Sequence, residues 1–396
     1  MPGQFSSPLL VIVPDRLSDL VAKGEITPGY YNPGHLFGEV HLLMTTDDQV
    51  DPAAVQPMVG GAKLSLHRLP IGRGWRLAAL AGRPQLLRGW ASAAVRLAER
   101  IRPALVRCHG NWWNGYLAVR IKECLEIPFV VSLHINPDVD VRRRVSGWKA
   151  RLWTRALEPV ERLVLQRADM VLPVYEAIVP YLARMGVDGR WTVIHNAVNV
   201  RAGCKDDYRL HRPIRLVSVG RQLPGKNPEA IIRALRLLPE AQLTLVGDGE
   251  YHARLCRAAA ACGVADRVIV HRSLPNEVLC GRLPEFDLFV AHSDYWELSK
   301  AVLEALLAGL PVVLNRRQGP VAPELRNGLV KLTDGSPEGY AQALRHLIEH
   351  EAERERLGRE AAAYARRHWA PEAMEAKTAD IYRQLANTFR PDGSVV

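Results

Sequence analysis

Residues 215–235 read RLVSVGRQLPGKNPEAIIRAL and contain a strand, a turn and a helix in succession. The run 215–219 is largely apolar and predicts a strand buried on both faces, which is typical of a parallel sheet. Gly220 opens a loop, Asn227 suits a helix N-cap and Pro228 fits the first helical turn. Apolar residues at helical spacing follow. The stretch therefore predicts one β–loop–α unit.

Units of this kind recur along the whole chain, where thirteen short apolar runs alternate with helical patterns. Such alternation predicts doubly wound parallel sheets. One open sheet rarely holds more than about ten strands, so we predict two sheets in two α/β domains. The predicted strands are residues 9–13, 40–44, 64–69, 104–108, 129–133, 170–172, 192–194, 215–219, 242–246, 267–270, 288–291, 311–314 and 329–332.

The boundary between the predicted domains is a polar stretch without apolar periodicity. We assign the N-terminal domain to residues 1–197, a linker to 198–212 and the C-terminal domain to 213–371. Residues 372–396 predict a last helix, which we expect to pack back on the N-terminal domain because the second domain is complete before it. Its apolar face comprises Met374, Thr378, Ile381, Leu385 and Phe389.

The composition is that of a soluble globular protein, with 48% hydrophobic and 24% charged residues in 396. The net charge of +10 favours phosphate-bearing partners. The six cysteines form no CxxC pair and no zinc spacing, and no apolar run reaches the length of a membrane span. We therefore expect a cytoplasmic protein.

Two basic segments carry interleaved tryptophans, residues 73–90 and residues 142–155. Such segments suit an anionic membrane surface and favour a location at the inner face of the membrane. The alternative is a solvated, partly packed helical face. Nucleic acid is not expected as a partner, because no helix-turn-helix, zinc finger or RNA-binding aromatic motif accompanies the charge.

Two cations lie at positions where open α/β sheets bind anions. Arg221 follows the strand 215–219, and Lys226 lies beside the start of the next helix. Strand carboxyl ends and helix N-termini attract phosphate, and a guanidinium with an ammonium suits a diphosphate. The alternative is a pair of solvated loop cations.

A second strand, loop and helix carries a carboxylate in an apolar setting. Ser299 suits the helix N-cap, and Gly309 ends the helix. Glu304 lies between them among apolar residues, where a carboxylate needs partners such as sugar hydroxyls. The alternative is a surface pair between Glu304 and Lys300 at i and i+4.

Three motifs in this order resemble the donor half of the retaining glycosyltransferases of family 4. They are Gly220-Arg221-x4-Lys226, Leu245-Val246-Gly247-Asp248-Gly249 and Ser293-x10-Glu304-Ala305-x3-Gly309-x-Pro311-Val312-Val313. Segments around residues 104–111, 127–134, 167–171 and 193–196 also resemble the family. The resemblance covers most of the chain and implies the GT-B fold, in which two Rossmann-like domains face each other across a cleft.

The family binds the donor sugar nucleotide in the second domain and the acceptor in the first. By resemblance, Arg221 and Lys226 would hold the diphosphate, Glu304 the ribose hydroxyls, and the backbone of residues 272–274 the base. The two cations do the work that a divalent ion does elsewhere, so no metal or other cofactor is expected. The implied donor-binding residues are Gly220, Arg221, Lys226, Gly247, Arg272, Ser273, Leu274, Trp296, Ser299, Lys300, Ala301 and Glu304.

One position departs from the family pattern. The family has a Glu-Gly pair before the ribose glutamate, whereas here Trp296 stands at the Glu position and Glu297 at the Gly position. Either Glu297 takes over the role from one residue away, or Trp296 supplies an apolar wall. Both alternatives stay open, and with them the identity of the donor sugar.

Two histidines follow predicted strands of the first domain. In the family a histidine at the place of His134 faces the donor sugar, and a structural hydrogen-bonding role is the alternative. His109 and Asn111 begin a loop at another strand end and are expected on the acceptor side. The expected catalytic residues are Arg221, Lys226, His134 and Glu297.

The sequence thus predicts a glycosyltransferase of the hexosyltransferase type, which moves a sugar from a nucleotide-diphosphate sugar to an acceptor hydroxyl with retention. The expected partners are that nucleotide sugar and a glycan or lipid-linked acceptor, in the assembly of a surface polysaccharide or lipid-linked glycan. Two alternatives remain, a non-catalytic sugar-nucleotide-binding partner subunit and a sugar-nucleotide epimerase with the same fold.

Overall fold

The computed structural model describes residues 5–72, 74, 83–139, 147–198, 203–326 and 328–388, and for residues 147–154 it describes the backbone alone. The chain forms two compact units. Unit 1 comprises Met1–Ala197 and Pro371–Val396, and unit 2 comprises Val198–Ala370. The end of the chain therefore belongs to the unit that its beginning builds.

Unit 1 is built on a six-stranded parallel sheet with the strand order β3-β2-β1-β4-β5-β6. Its central strands are buried on both faces, because helices cover each side of a doubly wound sheet. The strands are β1 Leu9–Val13, β2 Glu39–Met44, β3 Lys63–Arg68, β4 Leu105–His109, β5 Phe129–Leu133 and β6 Met170–Pro173. The helices are α1 Leu17–Ala22, α2 Pro52–Val55, α3 Arg88–Ile101, α4 Trp113–Leu125, α5 Gly147–Arg167 and α6 Val179–Arg184.

Unit 2 repeats this plan with the strand order β12-β11-β10-β7-β8-β9, again all parallel. Its strands are β7 Ile214–Val219, β8 Ala241–Val246, β9 Val268–His271, β10 Leu288–Ala291, β11 Val312–Asn315 and β12 Lys331–Thr333. Its helices are α7 Glu229–Ala234, α8 His252–Ala261, α9 Asn276–Arg282, α10 Lys300–Leu307, α11 Pro337–Glu349 and α12 Glu351–Trp369.

In both sheets the strand order reverses beside the first strand, between β1 and β4 in unit 1 and between β7 and β10 in unit 2. At such a switch point the two following loops turn to opposite faces and leave a crevice at the carboxyl ends of the strands. Open α/β sheets bind their ligands there. The topology therefore fixes where a site is expected in each unit.

Twelve of the thirteen predicted strands are present, each within two residues of the predicted bounds. The prediction of a strand at residues 192–194 is wrong, because these residues form no strand and the preceding Trp191 forms an isolated bridge with Val171 of β6. Thr192 and Ile194 donate to the carbonyls of Val171 and Pro173. Pro173 has no N–H to return, so the ladder ends there.

The last helix, α13 Pro371–Thr388, packs on unit 1 as expected. Met374, Thr378 and Ile381 of its predicted apolar face are buried and Leu385 is partly buried, whereas Phe389 lies outside the described residues. Gly34 allows the close approach: its φ is +61°, and a Cβ there would lie 3.1 Å from the Cβ of Ala379.

The two basic tryptophan segments lie largely outside the described residues, which leave out 73, 75–82 and 140–146. Trp90, which is described, is only 5% exposed in α3, so its indole is a packing element and not a surface anchor. No helix within the described ranges is long and apolar enough to cross a membrane.

Candidate functional site

The switch point of unit 2 brings two loops together, one after β7 and one after β10. The backbone N–H of Asp294 donates to the carbonyl of Gly225 at 3.0 Å. Beside this bond, Lys226 Nζ lies 2.7 Å from Glu297 Oε1. A hydrogen bond and an ion pair therefore join two loops that carry five of the twelve predicted donor-binding residues, namely Gly220, Arg221, Lys226, Trp296 and Ser299.

The loop after β7 packs against the turn after β8. Gln222 is 3% exposed, and its Nε2 donates to the carbonyl of Gly247 at 2.8 Å. A Cβ on Gly247 would lie 2.1 Å from the carbonyl oxygen of Gly220, so only glycine fits. The predicted residues Gly220 and Gly247 thus allow the backbones of the two turns to pack in direct contact. This contact fixes the position of Arg221, which follows Gly220.

The two predicted diphosphate cations differ in their surroundings. Arg221 is exposed at the end of β7. The side chain of Lys226 is 21% exposed and lies against Glu297, whose side chain is 10% exposed, and near the ring of Tyr295. The structure therefore gives Glu297 a defined partner, the ammonium group of Lys226.

Trp296 is packed into unit 2 and is only 8% exposed. Its Nε1 donates to the carbonyl of Gly319 at 3.3 Å, and Arg317 Cζ lies 4.9 Å from the ring centroid. Most of the indole surface therefore contacts protein, and the structure does not support an exposed Trp296 wall.

Arg317, in the loop after β11, is a residue that sequence reasoning missed. Burial lowers the pKa of its guanidinium, and the nearby Glu297 opposes that effect. Its Nη1 donates to the carbonyl of Glu297 at 3.5 Å, and its Nε is buried without a hydrogen-bond partner among the described residues. Arg317 thus adds a third cation to the loops around Lys226.

Ser299 caps α10, since its hydroxyl accepts from the N–H of Val302 at 3.3 Å, and Lys300 and Ala301 form the first helical turn. Glu304 in the next turn is 3% exposed, which contradicts the alternative of a surface residue. Asn276 Nδ2 of α9 donates to Glu304 Oε1 at 2.9 Å. Glu304 is therefore a buried, oriented carboxylate.

A thiol lies beside this carboxylate. Burial, and then the charge of Glu304, raise the pKa of Cys280 to about 12, so the thiol stays protonated and can donate to Glu304. Asn276 and Cys280 both belong to α9, a helix that the predicted site left out. In the sequence they are a polar residue and a cysteine one helical turn apart. This pattern is too common to predict a binding site.

The predicted base-contacting residues follow β9. Arg272 and Ser273 are exposed, and Leu274 is half-buried. Arg272 Nη1 lies 3.2 Å from Asp248 Oδ2, with both side chains largely in solvent. This surface pair contributes little to stability.

In unit 1 the two predicted histidines contact each other. His109 Nδ1 lies 3.1 Å from His134 Nε2, and the rings are stacked with centroids 5.1 Å apart and an interplanar angle of 4°. His134 is exposed, whereas His109 is 5% exposed. Two further polar atoms contact His134: Tyr30 Oη lies 3.3 Å from its Nε2, and Asn196 Oδ1 lies 3.4 Å from its Nδ1.

A buried cation lies beneath His109. Arg107 is 6% exposed, donates to the carbonyl of Tyr30 at 2.7 Å and has its Cζ 4.8 Å from the ring centroid of Tyr30. Burial, followed by the charge of Arg107, holds the pKa of His109 well below its usual range. His109 is therefore neutral, and it lies under His134 instead of lining an acceptor surface. The missed signal was an arginine inside a predicted buried strand.

Asn111 is 3% exposed and belongs to a buried network. Its Nδ2 donates to Tyr181 Oη at 2.7 Å, and Tyr181 donates to Glu161 Oε2 at 2.9 Å. Trp112 Nε1 donates to the other oxygen of Glu161 at 2.6 Å. These bonds occupy the side chain of Asn111 inside the unit and leave it little surface for an acceptor.

No group of three or more His, Cys, Asp or Glu side chains within the described residues is arranged to hold a metal ion.

Two family models match the chain, one in each unit. The model described as glycosyl transferase 4-like domain matches residues 29–197. The model described as glycosyl transferases group 1 matches residues 206–364. Together they cover most of the chain and coincide with the two sheets.

Relatives with assigned activities are similar over parts of the chain. A GDP-mannose-dependent alpha-(1-6)-phosphatidylinositol monomannoside mannosyltransferase of Mycolicibacterium smegmatis is 31% identical over 193 residues, 46% of this chain and 49% of its own. A 2-deoxystreptamine N-acetyl-D-glucosaminyltransferase of Streptomyces fradiae is 26% identical over 332 residues, 72% of this chain and 75% of its own. This chain spans about half the length of the first relatives it matches.

Solved structures share the fold at low sequence identity. Sucrose-phosphate synthase from Thermosynechococcus elongatus superposes with a TM-score of 0.72 at 18% identity, over 97% of this chain and 100% of that one. The Anabaena protein HepE in complex with UDP superposes with a TM-score of 0.69 at 15% identity, over 96% and 100%. The predicted GT-B fold of two Rossmann-like domains is thereby confirmed.

Proposed function

Because this chain belongs to the group 1 glycosyltransferases, we propose that it transfers a sugar from a nucleoside diphosphate sugar to an acceptor hydroxyl. The observation that carries the proposal is the pair of cations at the switch point of unit 2. Arg221 is exposed at the end of β7, and Lys226 is tied into the loop after β10 through Glu297. Cations at this place suit the diphosphate of such a donor.

The proposed chemistry separates charge. The bond between the sugar and the diphosphate breaks, and the leaving diphosphate gains negative charge. The acceptor oxygen bonds to the sugar from the same face, which retains the configuration, and the proton of the acceptor hydroxyl passes to the leaving diphosphate. Fixed positive groups stabilise the developing charge without rearrangement at the moment of reaction. Arg221 and Lys226 have this role in the proposal, with no metal ion required.

Further residues of unit 2 have proposed roles in holding the donor. Glu304, buried and oriented by Asn276, accepts from the ribose hydroxyls. The backbone of residues 272–274 binds the base. Glu297 acts through Lys226, since its carboxylate already accepts from that ammonium group at 2.7 Å.

Unit 1 supplies the acceptor side of the proposal, with His134 as its contribution to the reaction. The acceptor class that we propose is a growing surface glycan or a lipid-linked sugar. The net charge of +10 suits a phosphate-bearing or membrane-bound acceptor, and one similar protein is by its name a phosphatidylinositol monomannoside mannosyltransferase. With such an acceptor, we propose that the transferred sugar is a hexose and that the reaction takes place at the membrane periphery.

A panel of nucleoside diphosphate sugars, screened by thermal shift and then for turnover with the best binder, tests the proposal. A donor at 100 times its dissociation constant should add about 2.7 kcal/mol of stability. Turnover that requires an acceptor supports glycosyl transfer. Conversion to a second nucleotide sugar without acceptor would establish the epimerase, and donor binding without turnover would establish the non-catalytic partner subunit; either outcome overturns the proposal.

Variants test the two cations. Arg221→Ala and Lys226→Ala should each lower turnover by roughly 100-fold, as the loss of one electrostatic stabiliser of a transition state does. Arg236→Ala is the matched control, because Arg236 is an exposed arginine of the same unit away from the strand ends. Rates of both cation variants within threefold of the control would remove the diphosphate assignment.

Membrane binding is tested separately, through residues 142–155. The unmodified protein should sediment with anionic liposomes at low salt, and reversal of the charges of Arg142, Arg143 and Arg144 should abolish this at an unchanged melting temperature. Failure of the unmodified protein to sediment would remove the membrane from the proposal and leave the transfer reaction untouched.

A further inference from the structure

The pairing of His109 with His134 supports an inference beyond the proposed function. Only the kinetic consequence of that inference rests on the proposed function. Both rings follow neighbouring strands, His109 as the last residue of β4 and His134 just after β5. Because the strands are parallel and adjacent, their ends lie at one edge of the sheet. The near-parallel ring planes, with an interplanar angle of 4°, follow from this register. So does the 3.1 Å contact between His109 Nδ1 and His134 Nε2.

We propose that His109 is a positioning residue, which holds His134 as a neutral ring with its proton on Nδ1 and a lone pair on Nε2. The first argument is the partner of Nδ1. Asn196 Oδ1 faces it at 3.4 Å, and an amide oxygen accepts, so this long contact favours Nδ1 of His134 as the donor without fixing it alone. In a neutral ring Nε2 is then an acceptor.

The second argument is the set of groups around Nε2 of His134. His109 Nδ1 lies 3.1 Å from it and Tyr30 Oη lies 3.3 Å from it, and both can donate. With its proton on Nδ1, His109 keeps only a lone pair on Nε2, an atom that is buried without a hydrogen-bond partner among the described residues. A proton at that place would be a buried, unsatisfied N–H, which costs more than an unpaired acceptor.

The third argument is the charge beneath the pair. Burial alone would lower the pKa of Arg107, but the neighbouring Tyr382, Tyr30 and Tyr31 raise it above its ordinary value, so the guanidinium stays charged. A fixed positive charge at this depth opposes a second one on His109. The lowered pKa of His109 therefore favours a neutral ring, which can act as a donor through Nδ1.

Residues from several segments of unit 1 surround the two rings. Tyr30 and Tyr31, which precede β2, and Asn196, which follows β6, contact the rings of His109 and His134. Arg107 of β4 lies near His109, and Tyr382 of α13 lies beside Arg107. Tyr31 meets His109 edge-on, with ring centroids 5.4 Å apart. The ring of His109 thus has little freedom to turn, which is what a positioning residue requires.

Nitrogen-15 NMR of the full chain labelled at histidine tests the proposal without any substrate. His134 is assigned by the resonances that vanish in His134→Gln. The wild-type protein at pH 7 should show His134 as a neutral ring protonated on Nδ1. A wild-type His134 that is charged or protonated on Nε2 at pH 7 would overturn the proposal without any variant having to fold.

Two variants isolate the hydrogen bond from the ring contacts. His109→Phe keeps an aromatic ring against Tyr30 and Tyr31 but donates nothing, so His134 should shift toward the tautomer protonated on Nε2. His109→Asn carries an amide nitrogen near the place of Nδ1 and should restore the wild-type tautomer. An unchanged His134 spectrum in a folded His109→Phe protein contradicts the proposal.

The kinetic consequence is measured in the same variants. In His109→Phe, kcat should fall about tenfold or more while KM for the donor changes little, and His109→Asn should recover most of the loss, because the bond orients a reacting group and does not bind the donor. If the wild-type protein transfers no sugar from any donor, the proposed function fails, whereas the NMR result still decides the role of His109.

Discussion

Lys226 Nζ and Glu297 Oε1, 2.7 Å apart, join the loop after β7 to the loop after β10. Glu297 stands where the family pattern has a glycine, and its carboxylate points to the cation expected at the diphosphate. A lysine ammonium has three donors, so it can hold Glu297 and a phosphate oxygen together. We propose that Glu297 orients Lys226 for the diphosphate.

This relationship predicts strong coupling between the two residues. Glu297→Gln should lower turnover in the wild-type background but have little further effect in Lys226→Met, because its role passes through the ammonium group. The double-mutant cycle should show a coupling of about 1 kcal/mol or more in transition-state free energy. If the two effects add within about 0.5 kcal/mol, Glu297 acts on the substrate directly.

The burial of Trp296 predicts a stability effect. Trp296→Ala should lower the free energy of unfolding by about 3–5 kcal/mol, because it removes a buried indole and the face on which Arg317 lies. Trp296→Phe keeps a ring and should cost markedly less. Urea unfolding of both variants measures this, and a Trp296→Ala protein as stable as wild type would show that the indole is not a packing element.

The contact between Asn276 and Glu304 predicts a change in nucleotide affinity. Asn276→Asp replaces a donor with a second negative charge against the buried carboxylate and should weaken nucleoside diphosphate binding by about tenfold, or about 1.4 kcal/mol. Glu304→Gln should weaken it as well, by removing an acceptor of ribose hydroxyls. Isothermal titration calorimetry measures both.

Glu277→Gln, on an exposed residue of the same helix, is the control for these variants. Nucleotide affinity equal to the control in both Asn276→Asp and Glu304→Gln would make the pair purely structural.

Two half-buried histidines predict a dependence of stability on pH. Burial lowers the pKa of His195 and of His67 to about 4, against about 6.5 in an unfolded chain. Between these values the unfolded state binds protons that the folded state excludes. The stability from each histidine is therefore fully present above about pH 6.5 and is lost as the pH falls toward 4, by up to about 1.4 kcal/mol per pH unit.

His195→Asn checks this prediction. The amide nitrogen of Asn can replace His195 Nδ1, which lies 3.2 Å from the carbonyl of Val174, but it does not titrate. Urea unfolding at pH 7 and pH 5 should show a smaller loss of stability in the variant than in the wild-type protein. Equal losses would mean that His195 takes up its proton without unfolding.

The sheets could be predicted from the sequence because their strands are buried on both faces and consist of uninterrupted apolar runs. Strand β1 is such a case, since all five of its residues are buried. Residues 192–194 have the same composition, but their neighbour β6 ends in Pro173, and composition does not reveal which residues become neighbours. The error was one of pairing, which depends on the whole fold.

The sequence predicts those parts of the candidate site where the backbone conformation requires one residue type. It predicts less well the parts that depend on contacts between side chains. Gly247 has no alternative, since any Cβ would meet Gly220, and the motif carries that requirement. By contrast, the contact of Arg317 with Trp296 joins residues 21 positions apart in the chain, and the burial of His109 depends on Tyr30 and Arg107. Such contacts leave no periodic or spaced pattern in the sequence.

The packing of α13 sets the order in which the protein can be completed during synthesis. Ala379, Tyr382 and Ala386 belong to the buried core of unit 1, together with residues of β1 and β4. All of unit 2, Val198–Ala370, leaves the ribosome between the two parts of unit 1. At about 5–20 residues per second this takes roughly 10–35 seconds, during which the face that α13 will cover is open. Unit 1 begins the chain and is the last of the two to be finished.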